Sequence, residues 1–141
     1  LYHVPDPARA LCEVCRILRP GARLYAATNG RGHLRELGEL VRAFEPDMAF
    51  GPEDYSFSLE NGEAQLSEWF GDVRLHRYED SLAITEGDPL IAYIVSSVGD
   101  GEAVLVGDRL EELKSYVEAE LSSKGVLRIT KHIGLFVARR Y

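Results

Sequence analysis

"LYHVPDPARALCEVCRILRPGARLYAATNG", residues 1–30, holds a helix, its stop signal and a strand in one line. Asp6 stands where an N-cap belongs, and Pro7 suits the first helical turn, where its missing N–H costs nothing. Leu11, Val14, Cys15 and Leu18 fall at helical spacing on one face, and Pro20-Gly21 then ends the pattern. The run "ARLYAAT" that follows is apolar and of strand length, which predicts a strand covered on both faces. Strands of that kind are usually central and parallel.

Working outward, "NGRGH" breaks the strand, and a second amphipathic helix follows with Leu34, Leu37, Val41 and Phe44 as its buried stripe. Residues 46–57 contain two prolines, Gly51 and several acids, and read as a long loop or lid. A short helix is expected over 63–70. "DVRLHRYEDSLAIT" reads as a long strand with a bulge or bend near Glu79 to Ser81. Asp88 and Pro89 open another helix through "LIAYIVSS", and a longer one covers 108–123 with Leu110, Leu113, Val117 and Leu121 facing inward. "VLRIT" and "LFVARR", separated by a turn at 132–134, read as a β-hairpin. The alternation gives an α/β fold, with a parallel sheet ending in that antiparallel hairpin.

The 141 residues, 45% of them hydrophobic, are enough for one domain spanning 1–141. A net charge of -7 disfavours nucleic acid as a partner, and Lys131, Arg139 and Arg140 form too small a basic cluster to reverse that. The apolar runs fall far short of a membrane span and no signal-peptide pattern opens the chain, so a cytoplasmic protein without a membrane partner is expected. Two cysteines, Cys12 and Cys15, are too few for a disulfide framework. A zinc site needs four ligands, and no second CxxC or HxxH follows, so the pair reads as ordinary reduced helix residues and no metal is expected. The acidic runs "PEDY" and "RLEEL" read as solvated faces.

"LYHVPDPARAL" with "RILRPGARLY" resembles the second half of a class I S-adenosylmethionine-dependent methyltransferase, of the small-molecule type described as methyltransferase-11-like. "LENGEAQLSEWFGDVRLHRYEDSLAIT" and "ITKHIGLFVARR" are similar to the sixth and seventh strand regions of that group, and "ARLYAAT" to the fifth. The resemblance covers nearly all of the chain and implies part of a Rossmann-like sheet. It also implies an upstream strand ending in a DxGxG-type turn, where glycine lets the backbone approach the cofactor, and an acid for the ribose hydroxyls. The glycine pairs present, "NGRG" at 29–32 and "GDGE" at 99–102, lack that strand and acid and read as loops. The chain is therefore expected to be a C-terminal portion without the glycine-rich cofactor half. On that reading S-adenosylmethionine is bound by the parent enzyme and not by this portion alone, which is inactive by itself.

What the resemblance implies for the site is specific. Leu1, Tyr2 and His3 occupy the segment that borders the cofactor's methyl end and the methyl acceptor, a small molecule. Methyl transfer is an in-line displacement, so the protein aligns, excludes water and in some cases removes a proton. His3 is the candidate base and Tyr2 a wall whose face suits a sulfonium; alternatively Tyr2 packs and His3 binds backbone near the helix start. Thr28, Asn29, Gly30 and His33 would face the same crevice at the carboxyl edge of the sheet and orient the acceptor, or simply form a turn and open the next helix. Tyr55 and Phe57 are candidates for a lid over the acceptor pocket, whereas Trp69 and Phe70 read as core. An unpaired edge on "ARLYAAT" would favour a homodimer. The alternative to an enzyme part is a non-catalytic module, built on the same fold, for dimerisation or ligand binding.

Overall fold

A computed structural model describes residues 1–48, 50–51, 55–99 and 101–141. The elements run α1 (Pro7–Ile17), β1 (Arg23–Asn29), α2 (Arg35–Phe44), α3 (Gly62–Ser67), β2 (Gly71–Ile84), α4 (Gly87–Ser97), α5 (Gly101–Val104), α6 (Gly107–Lys124) and β3 (Leu127–Arg139). The expected lid at 46–57 and the runs "PEDY" and "GDGE" fall partly outside the described residues.

Local chemistry explains the helices. Asp6 accepts the Arg9 N–H at 2.9 Å, capping α1, and Pro7 occupies its first turn. Leu11, on the predicted stripe, is fully buried, with Val14, Cys15 and Leu18 half-buried against the same core. Leu37 and Val41 of α2 and Leu113 and Val117 of α6 are buried as their spacing requires. The four-residue α5 has no sequence signature, since a single turn shows no period.

The sheet differs from the expectation in order, direction and connection. Among the described residues it is a three-stranded open sheet in the order β1-β3-β2, so the last strand in sequence lies in the middle. β1 pairs with β3 antiparallel, from Arg23 opposite Arg139 to Asn29 opposite Ile133. The parallel central strand is thus an edge strand, with Ala26 and Thr28 turned inward and Tyr25 59% exposed. "ARLYAAT" misleads because tyrosine and alanine stand on its outer face and hide the alternation.

The expected hairpin is one continuous strand, β3, and β2 runs without interruption from Gly71 to Ile84 through Glu79 to Ser81. Gly134 is not a turn residue. A side chain there would come within 2.8 Å of Leu59 Cδ2 and 3.0 Å of the His76 carbonyl oxygen, so glycine serves a close approach inside the sheet. Along β3, Gly134 lies by His76, His132 by Arg77 and Lys131 by Asp80, which makes β2 and β3 antiparallel.

The chain divides into two compact units. The first comprises Leu1–His33, Asp54–Asp80 and Lys131–Tyr141. Its core joins Leu11, Phe57, Leu66, Phe70 and Phe136, with Phe57 and Phe136 packed edge to face at 5.7 Å between ring centres. The second comprises Leu34–Glu53 and Ser81–Thr130, and there α4 packs on α5 and α6 around Ile91, Ile94, Leu105 and Val117. No helix among the described residues is long and apolar enough to cross a membrane.

Candidate functional site

β1 ends at Asn29, and the turn Gly30–His33 leaves it within the first unit. The segment from Tyr55 to Asn61 is tied along this end. Thr28 Oγ1 donates to the Phe57 carbonyl at 2.9 Å, and the Leu59 N–H to the Asn29 carbonyl at 3.1 Å. Asn61 closes the segment on itself, its Oδ1 accepting the Ser58 N–H at 2.7 Å and its Nδ2 donating to the Tyr55 carbonyl at 3.0 Å. At its start, Ser56 Oγ donates to the Tyr2 carbonyl at 3.2 Å.

The predicted residues therefore fall into two groups on one framework. Leu1, Tyr2, His3 and Tyr55 form the first. The Tyr2 ring lies 4.4 Å from His3 and meets Tyr55 edge-on at 5.6 Å, while Leu1 and Tyr2 pack on the core. His3 is exposed and Tyr55 half-buried, so this trio presents aromatic surface next to an imidazole. Asn29, Gly30 and His33 form the second group.

Two of the predicted residues belong to the framework instead. Phe57 is fully buried against Phe136, because the loop that carries it turns inward here. Thr28 is 4% exposed and its hydroxyl is taken up by Phe57. Trp69 and Phe70 pack in the core as expected, and Cys15 Sγ contacts the Trp69 carbonyl at 3.4 Å. Both cysteines are free thiols. No group of three metal-ligating side chains occurs among the described residues.

His132 and Glu60 are the partners that sequence reasoning missed. The Gly30 N–H donates to the His132 carbonyl at 2.8 Å, and the Gly32 N–H reaches His132 Nδ1 at 3.3 Å. A Cβ at Gly30 would stand 2.5 Å from that same Nδ1 and 2.9 Å from Glu60 Oε1. The paired glycines exist so that this ring and this carboxylate can close on the turn. Glu60 Oε1 accepts the Arg31 N–H at 3.1 Å. Burial alone would raise the Glu60 pKa, but the Arg31 N–H and the Ser58 hydroxyl favour the carboxylate and bring it below its ordinary value. Burial lowers the pKa of His33, and the nearby Lys131 and His132 lower it further, so that His33 is neutral at pH 7.

This arrangement bears on the cofactor that the resemblance implies. The Gly30–Gly32 turn does not fit it, because the space beside Gly30 is filled by His132 and Glu60, and both glycine N–H groups are engaged by His132. Glu60 is held by the turn and is not placed as a ribose acceptor. What the described residues supply is the aromatic and imidazole surface of Tyr2, His3 and Tyr55.

Comparison with known proteins gives a local result. No protein-family profile matches the chain. Over 44 residues it is 52% identical to an uncharacterized methyltransferase of Mycobacterium bovis and to uncharacterized methyltransferases of two strains of Mycobacterium tuberculosis. The aligned stretch covers 28% of this chain and 18% of each relative, so the match spans less than a fifth of the length of these curated proteins. It supports a methyltransferase relationship.

Proposed function

We propose that the chain is the C-terminal portion of a class I S-adenosylmethionine-dependent methyltransferase, a single domain's worth of a Rossmann-like fold that supplies the acceptor side of the site for a small molecule. The observation that carries the reading is the 52% identity over 44 residues to methyltransferases. The α/β architecture with an open antiparallel sheet is consistent with part of such a fold. In this reading Leu1 and Tyr2 border the cofactor's methyl end, and exposed His3 takes the acceptor's proton. Tyr55, Asn29, Gly30 and His33 orient the acceptor. The rest of a longer chain in the cytoplasm holds the cofactor, and when bound that group supplies an electrophilic methyl. The test is a calorimetric titration of S-adenosylhomocysteine into the 141-residue chain and into a longer natural protein that contains it. The expected outcome is no heat for the former and micromolar binding for the latter. Binding by the 141 residues alone would overturn the division of labour, and silence from the longer protein would overturn the methyltransferase reading.

A second reading, a self-associating module, is favoured by one observation. β1 is an edge strand with Tyr25 59% exposed, and such an edge is a template for pairing with a copy of itself. The proposed homodimer joins two β1 edges. Light scattering at low micromolar concentration is expected to give about twice the chain mass of 15.7 kDa, and a monomer would dismiss it.

A further inference from the structure

We propose that the turn after β1 carries an oxyanion-binding site in which Arg77 and the Nε2–H of His132 share one carboxylate or phosphate oxygen. The proposal starts from a conflict of donors. The Gly32 N–H is directed at His132 Nδ1 at 3.3 Å, and in the tautomer in which Nδ1 accepts that bond the ring proton sits on Nε2. Arg77 Nη1 stands 3.3 Å from that Nε2, and a guanidinium has donors only. A neutral imidazole cannot accept at both nitrogens. Two N–H groups therefore face one another, and an oxygen bearing negative charge satisfies both at once with charge-assisted hydrogen bonds.

The neighbouring carboxylates are committed elsewhere. Asp80 pairs with Lys131 at 2.9 Å. Glu60 accepts the Arg31 N–H at 3.1 Å and borders the turn at Gly30. An external anion would supply an acceptor to both N–H groups. The ring is also pre-organised, because Gly30 and Gly32 have no side chains to displace it and the Gly30 N–H fixes the His132 backbone. His33, close enough for Lys131 and His132 to act on it, has a buried Nδ1 without a hydrogen-bond partner among the described residues.

If the proposed function holds, the methyl acceptor is an anionic small molecule; that assignment rests on the methyltransferase reading, whereas oxyanion binding does not. The chain's net charge of -7 gives no long-range attraction, so affinity comes from the short-range pair and is expected in the millimolar range. The test is NMR of isotopically labelled protein, titrated separately with inorganic phosphate and with acetate at constant ionic strength set by chloride. A saturable shift of the His132 ring and Arg77 Nε signals is expected, with binding weakened about tenfold or more in Arg77→Gln. Arg77 is exposed, so that variant is expected to keep its fold, and its melting curve checks this. Response to phosphate alone assigns a phosphate ligand, and response to acetate as well assigns a carboxylate. No saturable shift with either ion, or one unchanged in folded Arg77→Gln, overturns the site. Either result stands whether or not the longer protein binds S-adenosylhomocysteine.

Discussion

Phe136→Ala is expected to destabilise the first unit by about 3–5 kcal/mol, the range for deleting a fully buried phenyl ring. Phe136 is 0% exposed and stands opposite Ala26 in the sheet. Its ring meets Phe57 edge to face, and its Cε2 lies 2.6 Å from where a Cβ at Gly62 would be. The ring therefore fills space that three neighbours are shaped around, and none of them can collapse into the hole: Ala26 is too small, Gly62 has no side chain, and Phe57 is tied through its carbonyl to Thr28. A loss of that size is a large part of the stability of an ordinary domain, so the melting temperature is expected to fall by roughly 10 °C or more. Urea denaturation followed by circular dichroism checks the figure, and a loss below about 1 kcal/mol would show that the aromatic pair is not the centre of this core. The consequence reaches the site, because the segment that Phe57 anchors also carries Tyr55 and Glu60. Loosening it is expected to separate Tyr55 from Tyr2 and free the Gly30 turn.

Apart from the single turn of α5, the helices were legible from the sequence because they depend on local chemistry. Asp6 with Pro7 announces α1, and spacing alone places Leu37 with Val41 and Leu113 with Val117 on buried faces. The sheet was not legible for the opposite reason. Whether Gly134 turns the chain or lets another strand approach is decided by Leu59 and His76, which are far away in sequence. Both roles suit glycine equally well when the sequence is read by itself. Phe57 shows the same limit: an aromatic in an irregular segment is as good a lid as a core residue until Phe136 is known to face it. In the candidate site, Asn29, Gly30 and His33 could be placed together because they lie within five residues of sequence. His132, which organises their turn, is 100 residues from Gly32 and belongs to no motif. The signal that could have pointed to it is the pair Gly30 and Gly32, since two glycines flanking one residue imply that something bulky comes close.

Replacing Glu36 with glutamine is expected to remove about 2 kcal/mol of stability at neutral pH, and with it a pH dependence. Glu36 lies in the first turn of α2, and its two carboxylate oxygens accept from Thr130, from the N–H at 2.8 Å and from Oγ1 at 2.7 Å. Burial acts to raise its pKa, but the two Thr130 hydrogen bonds outweigh burial, and with Arg35 they bring it from 4.5 to about 2. The folded protein thus holds its proton less tightly than the unfolded chain. Stability from this group is complete above about pH 4.5 and is lost as the pH falls towards 2. A shift of that size corresponds to about 3 kcal/mol at 1.36 kcal/mol per pKa unit. The side chain is 30% exposed, so solvent screening reduces the expected contribution to about 2 kcal/mol. Glutamine keeps the shape and one acceptor oxygen but supplies an NH2 where Thr130 offers a second donor, so one bond is replaced by a donor clash. Chemical denaturation of both proteins between pH 7 and pH 2.5 checks this. The native protein is expected to weaken steadily below pH 4.5 relative to Glu36→Gln, and the two stabilities to converge at the acid end. Parallel curves would mean that the carboxylate contributes shape but not charge, and that the join between α2 and β3 is held by the Leu34 N–H to Thr130 carbonyl bond instead.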